Sequence, residues 1–309
     1  MRAGDGVAPG GMSRRGALAA LGAGAIGLAA GGPARSAARP ILRTWPVGVQ
    51  LWSVNAELRK DVPGTLRRLK AGGYDVVETA GLAGLSAAAF RRILDDAGLV
   101  CPSAHVSMGD LLAGLDQKIE DARALGARWL VCASPRPLTP IVPTGDWGAD
   151  MKRAMTLDAW KANADDLARI APVVAKAGLT LAYHNHFMEF ADLGGITGYD
   201  LIARAAAPSL LRLEMDLGWV FVGGADPLAV LARHADRIDM LHVKDFARDP
   251  GQRLGWRCVD LGEGAIDLPP ILKEARKQRV KYIYVEQEAP YVRPVFDSLA
   301  TARTYLTRL

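Results

Sequence analysis

Eight short apolar runs, each separated from the next by a stretch of helical periodicity, leave this chain few folds to choose from. The runs cover 47–51, 75–78, 99–105, 128–133, 180–184, 211–216, 238–242 and 281–286. Helical patterns fall between most of them, at 62–71, 87–97, 111–125, 157–177, 198–206, 227–234 and 268–277. Several of these end on glycine, as at Gly72, Gly98, Gly126 and Gly178, which predicts left-handed helix caps. A strand–helix–strand rhythm means parallel βαβ units. Eight such units beyond position 40 predict one (β/α)8 TIM barrel, a fold for which about 250 residues is typical. A doubly wound sheet would carry a glycine-rich phosphate turn after an early strand. Here the first strand runs instead into Gln50-Leu51-Trp52-Ser53-Val54. The longest gap, from Ser134 to Leu157, follows strand four and is expected to be a lid over the barrel mouth or an oligomer contact.

In such a barrel, active sites lie at the C-terminal ends of the strands. Strand five ends in L-A-Y-H-N-H-F-M-E-F over 181–190. Strand side chains alternate, so His184 and His186 share a face, Asn185 takes the other, and Glu189 follows. Strand one offers Gln50 and Trp52, strand two Glu78, strand three His105, and strand six Glu214 and Asp216. Strand seven offers His242, Lys244 and Asp245, and strand eight Glu286 and Glu288. His234, on a helix, is read as a surface residue. Singly, each of these has a structural explanation; a lone aspartate closing a strand caps the next helix. Together they do not. Carboxylates crowded on one face repel unless a cation sits among them. Imidazole and carboxylate donors with positions left open suit a divalent transition metal.

The ordered set H-N-H-x-x-E-F, L-x-M-D-L-G-W, L-H-V-K-D and V-E-Q-E resembles the sugar phosphate isomerase/epimerase family, the xylose isomerase-like TIM barrels, and within it the branch with a Y-H-N-H strand. The likeness runs from about residue 47 to the C-terminus. It implies one divalent ion (Mn, Zn, Co, Fe or Mg) with Asp216, His242 and Glu286 as ligands. His184 stands where the wider family has glutamate; it is taken as the fourth ligand, with Glu189 folding back as the alternative. Trp219 replaces a histidine of many relatives, which implies stacking on a sugar face. Ketose 3-epimerases, hydroxypyruvate isomerase, inosose dehydratase and 3-dehydroshikimate dehydratase are in this superfamily. The implied activity is isomerisation or epimerisation of a sugar or keto-sugar through a metal-stabilised enediolate. A lyase acting on a keto-sugar, keto-glycoside or inosose is the first alternative, and a non-catalytic sugar-binding barrel the second. Glu286 and His186 are the expected acid/base pair, with Glu78 and Glu288 in reserve. Lys244 is expected to stabilise the oxyanion, and Trp52, Glu78, His105, Trp219 and Glu288 to contact substrate.

The first forty residues read differently. Ser13-Arg14-Arg15 precedes an apolar stretch from Gly16 to Ala30, followed by small residues around Ala34 to Ala38. This is the pattern of a twin-arginine signal, cleaved so that 1–38 is lost and 41–309 forms the barrel. The expected location is periplasmic or secreted, with no stable membrane association after cleavage. Fifteen residues holding four glycines are short and weakly apolar for a membrane span. The first forty residues hold five arginines against one aspartate, so they carry all but about one unit of the formal +5 charge. The remainder has no basic stripe for nucleic acid. A small sugar-like molecule is the expected partner, with a homo-oligomer left open. Cys101, Cys132 and Cys258 show no ligand or framework spacing and are expected to be buried and unpaired.

Overall fold

Runs rich in valine, leucine and isoleucine suit strands buried on both faces, and all eight close into one barrel. The computed structural model describes residues 45–252 and 254–309, so the expected leader over 1–38 lies outside the described residues. The barrel strands are β1 (Val47–Gln50), β2 (Val76–Ala80), β3 (Val100–Val106), β4 (Trp129–Cys132), β5 (Thr180–His184), β6 (Leu211–Asp216) and β7 (Ile238–Val243), followed by β10 (Tyr282–Val285). All neighbours are parallel, and β10 returns to pair with β1. Between β7 and β10 the chain adds an antiparallel hairpin, β8 (Asp245–Arg248) and β9 (Trp256–Val259).

Local chemistry sets the helix limits. Asp61, Ser86, Ser107 and Thr156 each accept a hydrogen bond from a first-turn N–H of the helices Val62–Ala71, Ala87–Ala97, Met108–Leu125 and Leu157–Lys176. Gly98 and Gly126 close two of them at φ +69° and +78°, where a side chain would be strained.

The apolar core lies mainly between barrel and helices, with a smaller cluster of Val76, Trp129, Val131, Ala182, Met240 and Tyr284 on the strands themselves. A Cβ on Gly48 would lie 2.6 Å from the Tyr284 ring, so glycine there makes room for the tyrosine. At the N-terminal end of β7, Asp239 accepts from Trp129 Nε1 at 3.1 Å, from Arg212 at 2.6 Å and from Lys281 at 2.8 Å.

Four features differ from the sequence pattern. The gap after β4 contains a helix, Trp147–Ala154, capped by Asp146. Helices at Leu217–Val222 and Val295–Arg308 were not marked by periodicity, and neither was the hairpin. His234 is not a surface residue. It caps the helix Pro227–Arg233, its side chain is only 12% exposed, and its ring stands edge-on to Tyr199 at 5.2 Å. The three cysteines are free and buried, and burial pushes each thiol up to about 12. No helix among the described residues is long and apolar enough to cross a membrane.

Candidate active site

The period-two alternation of strands places alternate residues of each strand on the barrel axis. Register sets their height. His184 is level with Glu214, Asp216 with His242, and Gln50 with Glu78. Two tiers result.

The lower tier is a closed network around His242. Its Nε2 lies 2.7 Å from Glu78 Oε2 and 3.2 Å from Glu214 Oε2. His105 Nε2 lies 2.6 Å from Glu214 Oε2 and 3.0 Å from Glu78 Oε2. Gln50 Nε2 donates to Glu78 Oε2 at 2.7 Å. Glu78 and Glu214 are fully buried, so their charges need compensation within the network. Burial opposes charge on His105, but Glu78 and Glu214 outweigh it and push it up to about 9. His242 is likewise buried yet held well above the usual imidazole range, by Glu214 and Glu286. Glu78, an expected substrate contact, is fully buried and lies against His242 and His105.

The upper tier reaches the cavity through Glu286 and Glu288, and the lower one through Gln50 and His105. Glu286 Oε2 lies 2.7 Å from His242 Nδ1, and Asp216 Oδ2 lies 3.8 Å from the same nitrogen. Lys244 Nζ sits among the carboxylates, 2.9 Å from Asp216, 3.0 Å from Glu286 and 2.5 Å from Glu288. Burial opposes its charge, but the three acids hold the ammonium well above its usual range. Lys244 passes under Trp219, with Nζ 4.9 Å from the ring centroid. A Cβ on Gly218 would fall 2.3 Å from Lys244 Cγ, which explains the glycine of D-L-G-W.

Asp216 is aimed by its neighbours. Its Oδ1 accepts from Trp219 N–H at 2.8 Å, capping Leu217–Val222 and leaving Oδ2 for the cluster. Asn185, the middle residue of H-N-H, accepts from Asp216 N–H at 3.0 Å and donates to Asp216 C=O at 3.2 Å. Asp245 turns away from the site. It accepts from the N–H groups of Phe246, Gly262, Gly264 and Ile266, and so organises the loop after β9.

The donor atoms of Asp216, His242 and Glu286 lie within 4.8 Å of one another. Two carboxylates and an imidazole form a donor set that fits a divalent ion. His184 does not join that trio. It groups with His105, Glu214 and His242, its Nδ1 3.4 Å from Glu214 Oε2 and without a hydrogen-bond partner. Burial, reinforced by His242, keeps His184 well below the usual range. His186 lines the cavity, and burial together with Lys244 lowers it to about 3, so its imidazole is neutral at ordinary pH.

Glu189 belongs to neither group. It is fully buried and accepts from Tyr183 Oη at 2.8 Å. Burial raises it from 4.5 to about 7. The folded state therefore binds this proton more tightly than the unfolded chain. The resulting stability is complete below about pH 4.5 and is lost as pH rises through 7. Glu189→Gln is expected to gain up to about 3 kcal/mol over the parent at pH 8 and little at pH 4. Thermal denaturation of both proteins at the two pH values checks this; an equal difference at both would contradict it.

The cavity above these tiers holds about 800 Å³. His105, His184, His186, Glu286 and Glu288 line its polar part, and Trp52, Trp147 and Trp219 stand along its walls. Trp147 was missed as a site residue because it lies in the long gap after β4, where only its size set it apart. Glu214 was visible at its strand end, but no pattern there showed that it would join three histidines.

A family model described as a xylose isomerase-like TIM barrel matches residues 66–307. An inosose dehydratase from Geobacillus kaustophilus is 30% identical over 169 residues, which cover 50% of this chain and 54% of that protein. The chain thus spans about half the length of the curated relatives it matches. A solved sugar phosphate isomerase/epimerase from Parabacteroides distasonis is 25% identical with a TM-score of 0.67, covering 85% of this chain and 98% of that one. A xylose isomerase-like barrel protein from Mycobacterium smegmatis, solved with magnesium, shares the fold at 17% identity and a TM-score of 0.61, covering 86% and 96%.

Proposed function

The chain belongs to the xylose isomerase-like TIM barrel family, and from that premise we propose that it is a divalent-metal-dependent enzyme that moves a proton beside the carbonyl of a sugar or keto-sugar. The observation that carries this is the trio of Asp216, His242 Nδ1 and Glu286 gathered around a buried ammonium. Those three would hold the ion, with His184 as the strand-five candidate on the strength of its place in β5. When bound, the ion would supply Lewis acidity toward a carbonyl and its neighbouring hydroxyl.

The chain's own groups supply the rest. His186 lines the cavity and is the proposed partner of Glu286 in moving the proton. Glu286 is held below the usual carboxylate range: burial opposes this, but Lys244 and His242 prevail, keeping it ionised as ligand or base. Lys244 directs positive charge at oxygens that turn negative as the proton leaves. Trp219 forms part of the wall against which a sugar face can stack. Glu78 keeps the His242 Nε2 side occupied, so Nδ1 faces the trio.

Returning the proton to the neighbouring carbon isomerises, and returning it to the opposite face epimerises; the Parabacteroides relative supports this outcome. Losing a β-hydroxyl instead gives a dehydratase, which the inosose dehydratase match supports as a second outcome. Both begin with the same proton. Metal-loaded protein in D2O with a panel of keto-sugars and inososes is expected to incorporate deuterium beside the carbonyl, and the product resolved by NMR separates the outcomes. A panel with no incorporation and no product would contradict the enzyme reading. The arginine pair and apolar stretch before residue 40 support a periplasmic or secreted place of work.

A further inference from the structure

The polar end occupies only part of the cavity. The rest of its wall includes Trp52, Trp147, Trp219, Phe187, Leu82 and Leu254, beside polar residues such as Asp110 and Lys118. A volume of about 800 Å³ is near the top of the range for small-molecule sites and far more than one sugar ring fills. Trp52 is 51% exposed and Trp147 46% exposed, in the connections after β1 and β4. Large indoles left half in water at a cavity rim are poised to cover a ring.

The backbone at both tryptophans is held in place. Trp52 N–H donates to Gln50 Oε1 at 3.1 Å, and Gln50 is tied to Glu78, so this rim position is anchored to the lower tier. Trp147 opens a helix capped by Asp146 and braced by Thr144, which donates to Asp150 at 2.7 and 2.8 Å. The adjacent Gly148 allows close approach, since a Cβ there would fall 2.9 Å from the Phe187 ring. The Trp147 ring meets His186 edge-on at 4.9 Å, which joins the rim directly to the polar end.

Resting on the sugar-enolising reading above, we propose that the substrate carries a second ring beyond the reacting sugar, and that Trp52 and Trp147 form the subsite that receives it. The ligand class is a sugar linked to a flat apolar face, which either an aryl glycoside or a disaccharide provides. The reacting sugar lies at the polar end, and its appended ring lies at the rim.

Calorimetric titration of the metal-loaded full chain with a set of hexoses, their phenyl glycosides and matching disaccharides tests this. At least one ring-bearing compound is expected to bind about tenfold or more tightly than its parent hexose. Trp52→Ala and Trp147→Ala should each cut that preference to about threefold or less. The phenyl and disaccharide arms show which kind of ring is favoured. Equal binding by hexose and derivative, a preference that survives both substitutions, or no binding by any glycoside would overturn the proposal. Deuterium exchange on free keto-hexoses, run alongside, keeps the two readings separate. Exchange without a ring preference overturns the subsite alone, and a ring preference without exchange overturns the chemistry alone.

Discussion

Asp216→Ala, His242→Ala and Glu286→Ala, made singly, are each expected to lose bound metal and proton exchange while remaining folded. Outer partners of a metal ligand typically matter by about 10–100-fold in affinity or activity, so removing a ligand itself should exceed that range. The three side chains converge from β6, β7 and the end of β10, and their donor atoms lie within 4.8 Å of one another. On strand five, Glu189→Ala should largely keep metal, because Glu189 is turned to the Tyr183 hydroxyl. His184→Ala tests the remaining strand-five donor, His184 Nδ1, which lacks a hydrogen-bond partner. Metal content by mass spectrometry, beside a proton-exchange assay, checks the whole series. Loss of metal in Glu189→Ala but not in His184→Ala would reverse the strand-five assignment. Full activity in all four of the other single substitutions would remove the site.

The second large effect belongs to Lys244. Its ammonium lies within 3.0 Å of Asp216, Glu286 and Glu288, and it is fully buried. Lys244→Met leaves those acids uncompensated, which for a buried ion pair broken from one side costs about 3–5 kcal/mol. Metal-free Lys244→Met should therefore melt well below the metal-free parent. Added Mn²⁺ should restore much of the difference, since a divalent ion replaces the lost charge. Turnover should still fall, by about 10²–10³-fold, because a charge aimed at developing negative oxygens acts mainly in the transition state. A substitution that leaves metal-free stability unchanged would show that the ammonium does not serve the carboxylates. One that leaves turnover unchanged would show that it does not serve the reaction.

These effects explain what could be read from the chain and what could not. Barrel closure was legible because most strand residues are buried on both faces, so the strands read as short, mainly apolar runs. The strand ends were legible for the same reason, since a buried polar residue closing such a run stands out. Which neighbour each would meet was not. His184 and Asp216 look equivalent in sequence, yet register sets His184 level with Glu214 and Asp216 level with His242. That single offset sends the strand-five histidine to the lower tier. Asp245 looked like one more acid of the site, but glycines more than fifteen residues later claim it through their N–H groups. Asn185 and Gly218 were invisible as contributors because one clamps a backbone and the other only clears space. The hairpin could have been suspected from Asp249-Pro250-Gly251 between F-A-R and W-R-C-V, a turn flanked by short β-prone segments.

One divalent ion is expected to bind where Asp216, His242 and Glu286 converge. Anomalous diffraction from crystals of the full chain soaked in Mn²⁺ tests it most directly. The expected result is one strong peak per chain, within bonding distance of Asp216 Oδ2, His242 Nδ1 and Glu286, with Lys244 Nζ displaced from their midst. No peak, or a peak held instead by His105, His184 and Glu214, would contradict it.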